Sequence, residues 1–135
     1  MTRATRMLLL AALGLALSTA TAGCASEPPA PLELNMEDSG SDQTLAVGQE
    51  LRIALDSNPT TGYMWSVDGA IPEQLSQTGD SEFTESSTAI GAGGIETWAF
   101  KAKSSGEGKL KLKYWRSFEP TATPAKTFDI GVTVK

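Results

Sequence analysis

Asp56-Ser57-Asn58-Pro59-Thr60-Thr61-Gly62-Tyr63-Met64-Trp65 is a stiff turn set between two runs that read as strands. On its N-terminal side Leu51, Ile53 and Leu55 alternate with Arg52, Ala54 and Asp56. That period of two is the mark of a half-buried strand. On its C-terminal side Tyr63-Met64-Trp65-Ser66-Val67 is rich in strand formers. Between them Pro59 fixes its own φ, lacks a backbone donor and biases Asn58 away from the helical region. Gly62 permits the positive φ that the two threonines resist. The outcome is a shaped loop with two small hydroxyls near its tip. A plain interstrand loop explains it equally well when it is taken alone.

Outward from this turn the chain keeps the same habit. Leu32-Glu33-Leu34-Asn35-Met36 alternates as a first strand, and 37–43 is a polar turn. Thr44–Val47 is a short strand ending at Gly48; 50–56 and 62–67 flank the quoted turn. Residues 68–80 are irregular, broken by Gly69, Pro72 and Gly79. A strand is expected at 81–84, then a loose 85–90 and a glycine ribbon, Gly91-Ala92-Gly93-Gly94. Residues 95–103 form a strand with Trp98, Phe100 and Ala102 on one face. A tight turn at 104–108 leads to a clean alternation over 109–116. There Leu110, Leu112 and Tyr114 point one way, and Lys111, Lys113 and Trp115 the other. A third distinctive loop, Trp115-Arg116-Ser117-Phe118-Glu119-Pro120, precedes the last strand, which is marked by Phe128, Ile130, Val132 and Val134.

Short strands with frequent turns and no helical period predict an all-β antiparallel β-sandwich of seven to eight strands. The expected core is Leu45, Val47, Leu51, Ile53, Leu55, Trp65, Trp98, Phe100, Leu110, Leu112, Phe128, Ile130, Val132 and Val134. Each such side chain, fully buried, contributes roughly 1.5–3 kcal/mol. Trp115, on the lysine-bearing face, is either an exposed contact or the cover of an edge strand.

Ahead of this domain the sequence has the pattern of an export signal. Arg3 and Arg6 precede an apolar run over 7–17, followed by Thr21-Ala22-Gly23-Cys24. Small residues before a cysteine resemble a bacterial lipobox, in which the cysteine is lipidated and becomes the new N-terminus. Cleavage at a nearby alanine by ordinary signal peptidase is the alternative. The expected division is a signal peptide at 1–23, a proline-rich lipid-anchored tether at 24–31 and a domain at 32–135. The location that follows is export, with lipid anchoring to the bacterial cell membrane and the domain facing outward.

Composition excludes several functions. Cys24 is the only cysteine, so no internal disulfide staples the domain. The net charge is −5, and −7 once Arg3 and Arg6 are removed, which is a poor balance for nucleic acid. There is no histidine. The usual general base, the Ser-His and Cys-His pairs and most zinc sites go with it. An enzyme is therefore not expected, and no cofactor or metal is called for.

The three loops together resemble the chagasin family, proteinaceous inhibitors of papain-like cysteine peptidases. The family's first loop matches in full as Asn58-Pro59-Thr60-Thr61-Gly62-Tyr63, with Trp65 at the family's spacing. Its Gly-x-Gly-Gly stretch matches as Gly91-Ala92-Gly93-Gly94. Its Arg-Pro-Trp departs to Arg116-Ser117-Phe118. The resemblance implies an immunoglobulin-like all-β fold and reversible, tight inhibition by a monomer that wedges the three loops into the peptidase cleft. Asn58 to Tyr63, Gly91 to Gly94, and Trp115, Arg116, Ser117 and Phe118 would touch the enzyme. Serine for proline loosens the third loop, and phenylalanine is a smaller anchor than tryptophan. Trp115 could substitute as the aromatic contact. A lipid-anchored binding or scaffold module of the envelope, without inhibitory activity, is the competing reading.

Overall fold

Alternation along one long strand sets the frame. In β3 (Glu50–Ser57) Leu51, Ile53, Leu55 and Ser57 are buried and the residues between them are not. The computed structural model describes residues 27–135 and contains nine strands. The others are β1 (Leu32–Leu34), β2 (Asp42–Leu45), β4 (Met64–Val67), β5 (Leu75–Gln77), β6 (Glu82–Glu85), β7 (Gly94–Ala102), β8 (Gly106–Trp115) and β9 (Lys126–Val134). One sheet has the order β1-β3-β7-β5, with β6 also paired to β7; the other runs β2-β9-β8-β4. Their inner faces bury Leu51, Ile53, Leu55, Trp98 and Phe100 against Trp65, Leu110, Leu112, Phe128, Ile130 and Val132. This is the expected all-β, immunoglobulin-like sandwich.

It departs from expectation in three ways. Nine strands replace seven or eight, because β5 lies inside the stretch read as irregular; Leu75 there is buried. The sandwich is mixed rather than wholly antiparallel: β1 runs parallel to β3, and β2 parallel to β9. Val47 is not core. The second strand ends at Leu45, and Val47 sits half-exposed in the turn closed by Gln49 N–H on the Ala46 carbonyl. The core also takes in Leu34, Leu75, Ala102 and Tyr114.

The strand directions give the sandwich two poles. β3 ends at Ser57, which pairs with Gly94 at the start of β7, and β8 ends at Trp115 opposite Met64. The loops after β3, before β7 and after β8 therefore meet at one pole. At the other lie the start of β1, where Leu32 pairs with Leu51, and the end of β9, where Val134 pairs with Gly106. Residues 27–31 are exposed and carry no strand. The expected signal at 1–23 and Cys24 lie outside the described residues.

Candidate functional site

The first loop is built around Asn58. Pro59–Thr61 form one 3₁₀ turn, with proline at its first position and Gly62 closing it in the left-handed region at φ 80°. Thr61 N–H donates to the Asn58 carbonyl at 3.1 Å, and Gly62 N–H to the Pro59 carbonyl at 3.1 Å. Both threonine hydroxyls donate inward. Thr60 Oγ1 binds Asn58 Oδ1 and Thr61 Oγ1 binds the Asn58 carbonyl, each at 2.6 Å. The exposed tip thus offers methyl groups and hydroxyl lone pairs, while its hydroxyl protons are already used. Two carbonyls of the turn, at Asn58 and Pro59, are occupied from within.

Asn58 also ties this loop to the rest of the rim. Its main-chain N–H donates to the Tyr114 hydroxyl at 2.8 Å, and its Nδ2 to the Gly91 carbonyl at 3.2 Å. Trp65 Nε1 donates to the Asp56 carbonyl at 3.0 Å, pinning the loop's two stems together. Below, Ser57 Oγ donates to Glu96 Oε2 at 3.0 Å, and Ser81 Oγ to Glu96 Oε1 at 2.7 Å. Both carboxylate oxygens of this buried side chain are therefore satisfied, as burial demands.

The glycine ribbon divides in two. A Cβ on Gly94 would collide with the Thr84 carbonyl and come within 2.8 Å of the Phe83 ring. One on Gly93 would lie 3.1 Å from the Ser57 carbonyl. These two glycines let the chain pack on itself and are at least half-buried. The outward part is Gly91, at φ 78°, and the half-buried Ala92. Immediately before them Ile90 is fully exposed. It was missed in the sequence, where the one available signal is a lone aliphatic in a polar stretch next to the ribbon.

The third loop folds onto the first. Glu119 N–H donates to the Arg116 carbonyl at 3.0 Å, placing Ser117 and Phe118 at the corners of a turn. The Arg116 guanidinium lies 4.4 Å from the Tyr63 ring centre and 5.9 Å from that of Phe118, with Glu119 Oε1 3.7 Å from its Nη1. Its Nε is buried without a partner. Phe118 is mostly exposed, yet its edge rests on Gly62, where an added Cβ would meet Cε1 at 3.0 Å. Tyr63 stacks on Tyr114 at 5.3 Å, and Tyr114 meets Trp65 at 5.1 Å. A continuous stack thus runs from the core through Trp65, Tyr114, Tyr63 and Arg116 to Phe118. Arg116 is an inward clamp more than an outward hand.

Trp115 points elsewhere. Its indole N–H donates to Ser66 Oγ at 2.7 Å, and Lys113 Nζ sits 4.1 Å over its ring. It covers the edge strand β4 from the outer face, the use foreseen as its alternative. Ser117 is exposed at the turn. Among the described residues no group of three His, Cys, Asp or Glu side chains gathers to hold a metal ion.

Residues 44–132 match the model of the chagasin family, peptidase inhibitor I42. Amoebiasin-1 of Entamoeba histolytica is 34% identical over 105 residues, covering 77% of this chain and all of that protein. Chagasin of Trypanosoma cruzi is 30% identical over 96 residues, covering 68% of this chain and 87% of the relative. The crystal structure of the cysteine protease inhibitor EhICP2 from Entamoeba histolytica superposes with a TM-score of 0.70. It covers 78% of this chain and 96% of that one at 22% identity, a likeness of fold.

Proposed function

The chain belongs to the chagasin family of peptidase inhibitors, and from that premise we propose that its three-loop rim wedges into the cleft of papain-like cysteine peptidases. It is an inhibitor of cysteine peptidases and not an enzyme. The observation that supports the wedge is the closed 3₁₀ turn at Pro59–Thr61. Attack by a thiolate needs a carbonyl held in near-attack geometry. Here the Asn58 and Pro59 carbonyls are turned into the loop and hydrogen-bonded there. The tip fills the slot above the catalytic pair and withholds a scissile bond.

The neighbouring loops supply area. Ile90 and Phe118 are the large exposed apolar residues of the neighbouring loops, and burying them at association removes apolar surface from water. Gly91 and Ala92 let the main chain approach the groove wall closely, although the Gly91 carbonyl and the Ala92 N–H are already bonded to Asn58 and Ala89. Because Asn58, Tyr63 and Arg116 already fix the loops, little ordering cost remains at association. A one-to-one complex of a monomer suffices. The non-inhibiting envelope module is not favoured, since the rim holds its shape despite Ser117 and Phe118.

The same reading extends to location. Arg3, Arg6, the apolar 7–17 and Thr21-Ala22-Gly23-Cys24 support export and lipid attachment at Cys24, with 1–23 removed and 24–31 as the lead into the domain. The mass of the N-terminal peptide from membrane-purified chain tests this. For the inhibitor mechanism, progress curves of papain with the chain are expected to show competitive inhibition. The recovered chain should be uncut after long incubation. Cleavage within 58–63 at a turnover comparable to a peptide substrate would overturn the wedge.

A further inference from the structure

The rim and the chain's entry lie at opposite poles. β1 enters parallel to β3 with Leu32 beside Leu51, while β3 delivers Ser57 to the rim at its far end. Just upstream, Gln49 Nε2 donates to the Ala30 carbonyl at 2.9 Å. Pro28, Pro29, Ala30 and Pro31 line a groove with Gly48, Glu50, Thr78 and Lys101, all at the entry pole. The lead is therefore laid against the domain's base, and three prolines in four residues keep it extended and stiff.

We infer that this lead is a strut that holds the rim away from the surface to which the chain is attached. The inference rests on the attachment at Cys24 proposed above. With Ala30 held at the base, the six residues back to Cys24 reach at most about 20 Å. The strand β3 alone is about 26 Å long, and the loops of the rim lie beyond it. Inverting the domain to press the rim on the membrane would lift Ala30 beyond that reach, and the groove-held, proline-stiffened lead resists the remaining sideways tilt. It faces the medium, so the peptidases within its reach are soluble papain-like enzymes arriving from outside, not enzymes lying flat in the same bilayer.

Among the described residues the core runs from Leu34 to Val134 with Leu32 packed against it, so the chain from Cys24 onward carries every described strand. Coupling its Cys24 thiol to a maleimide lipid in a supported bilayer creates the attachment whether or not the cell makes it. Native lipid on Cys24 is then a separate measurement, and its absence would overturn the membrane setting alone. Neutron reflectometry reads the thickness of the protein layer. An upright domain is expected to give about 40 Å, and one lying on its side about 25 Å, from strand length and sheet spacing. Soluble papain should be inhibited by the coupled chain as strongly as by the uncoupled one. In a variant combining Gln49→Ala with Pro28→Ser, Pro29→Ser and Pro31→Ser, the layer should become thinner and more diffuse. A thin layer from the unaltered chain, or an unchanged thick layer from the variant, overturns the strut.

Discussion

The main-chain N–H of Asn58 donates to the Tyr114 hydroxyl at 2.8 Å across 56 positions of sequence. This bond joins the first loop to the strand that leads into the third. The same Asn58 reaches the ribbon through Gly91. Tyr114 is also the middle of the aromatic stack, between Trp65 and Tyr63. One pair of residues thus sets how the three loops stand relative to one another.

Tyr114→Phe keeps the stack and removes only the acceptor. A fully buried donor left without a partner costs about 1–3 kcal/mol, and the part-buried Asn58 N–H falls toward the lower end. Since each 1.4 kcal/mol is tenfold, inhibition of papain should weaken by about tenfold. Part of the same cost should show as a lowered melting temperature. An unchanged inhibition constant would remove Tyr114 from the account.

Asn58→Asp and Asn58→Ala separate the two jobs of that side chain. Aspartate keeps an oxygen for Thr60 but loses the donor to Gly91, so the ribbon alone is released. Alanine loses both, and capping loss alone costs about 0.5–2 kcal/mol. The expected order of inhibition is Asn58, then Asp, then Ala, measured against one papain-like enzyme. An aspartate variant weaker than alanine would contradict the assignment.

Arg116→Lys tests the clamp. A lysine keeps the charge but cannot lie flat between Tyr63 and Phe118. Cation–π contacts at such a half-exposed place contribute about 0.5–1 kcal/mol each, and the ion pair to Glu119 adds little. Dissociation of the peptidase complex should quicken several-fold, and a double-mutant cycle with Tyr63→Leu should show coupling. Additive effects would mean that Arg116 acts on the peptidase directly.

Ser117→Pro restores stiffness to the third loop. Ser117 holds the first corner of the turn closed by Glu119 N–H on Arg116, the corner where proline is favoured. A compatible proline stabilises by about 0.4–1 kcal/mol. The melting temperature should rise by a few degrees and inhibition should tighten. A fall in stability would show that the turn's φ at Ser117 does not suit proline.

Much of this was legible along the chain because it is written locally. The turn at Pro59–Thr61 follows from Asn58, Pro59 and Gly62 themselves, and the long strands follow from their alternation. What was hidden depends on distant partners. β5 has three residues between Gly69, Pro72 and Gly79, and it exists because β7 offers Phe100–Ala102 as an edge. The parallel pairings of β1 and β2 leave no local trace. The need for glycine at 93 and 94 comes from the distant Ser57 and Thr84 carbonyls. The clamp at Arg116 depends on Tyr63, a partner far away in the sequence, as well as on the neighbouring Phe118.

The most direct test is steady-state inhibition of papain by the chain from Cys24, beside the double variant Thr60→Ala, Thr61→Ala. Both side chains are exposed at the tip, so the fold should survive, as its melting curve would show. Nanomolar competitive inhibition is expected, weakened by about a hundredfold in the variant because both side chains would sit at the desolvated centre of the interface, where truncation costs most. Equal inhibition by the two chains would contradict it, because the tip would then lie outside the cleft.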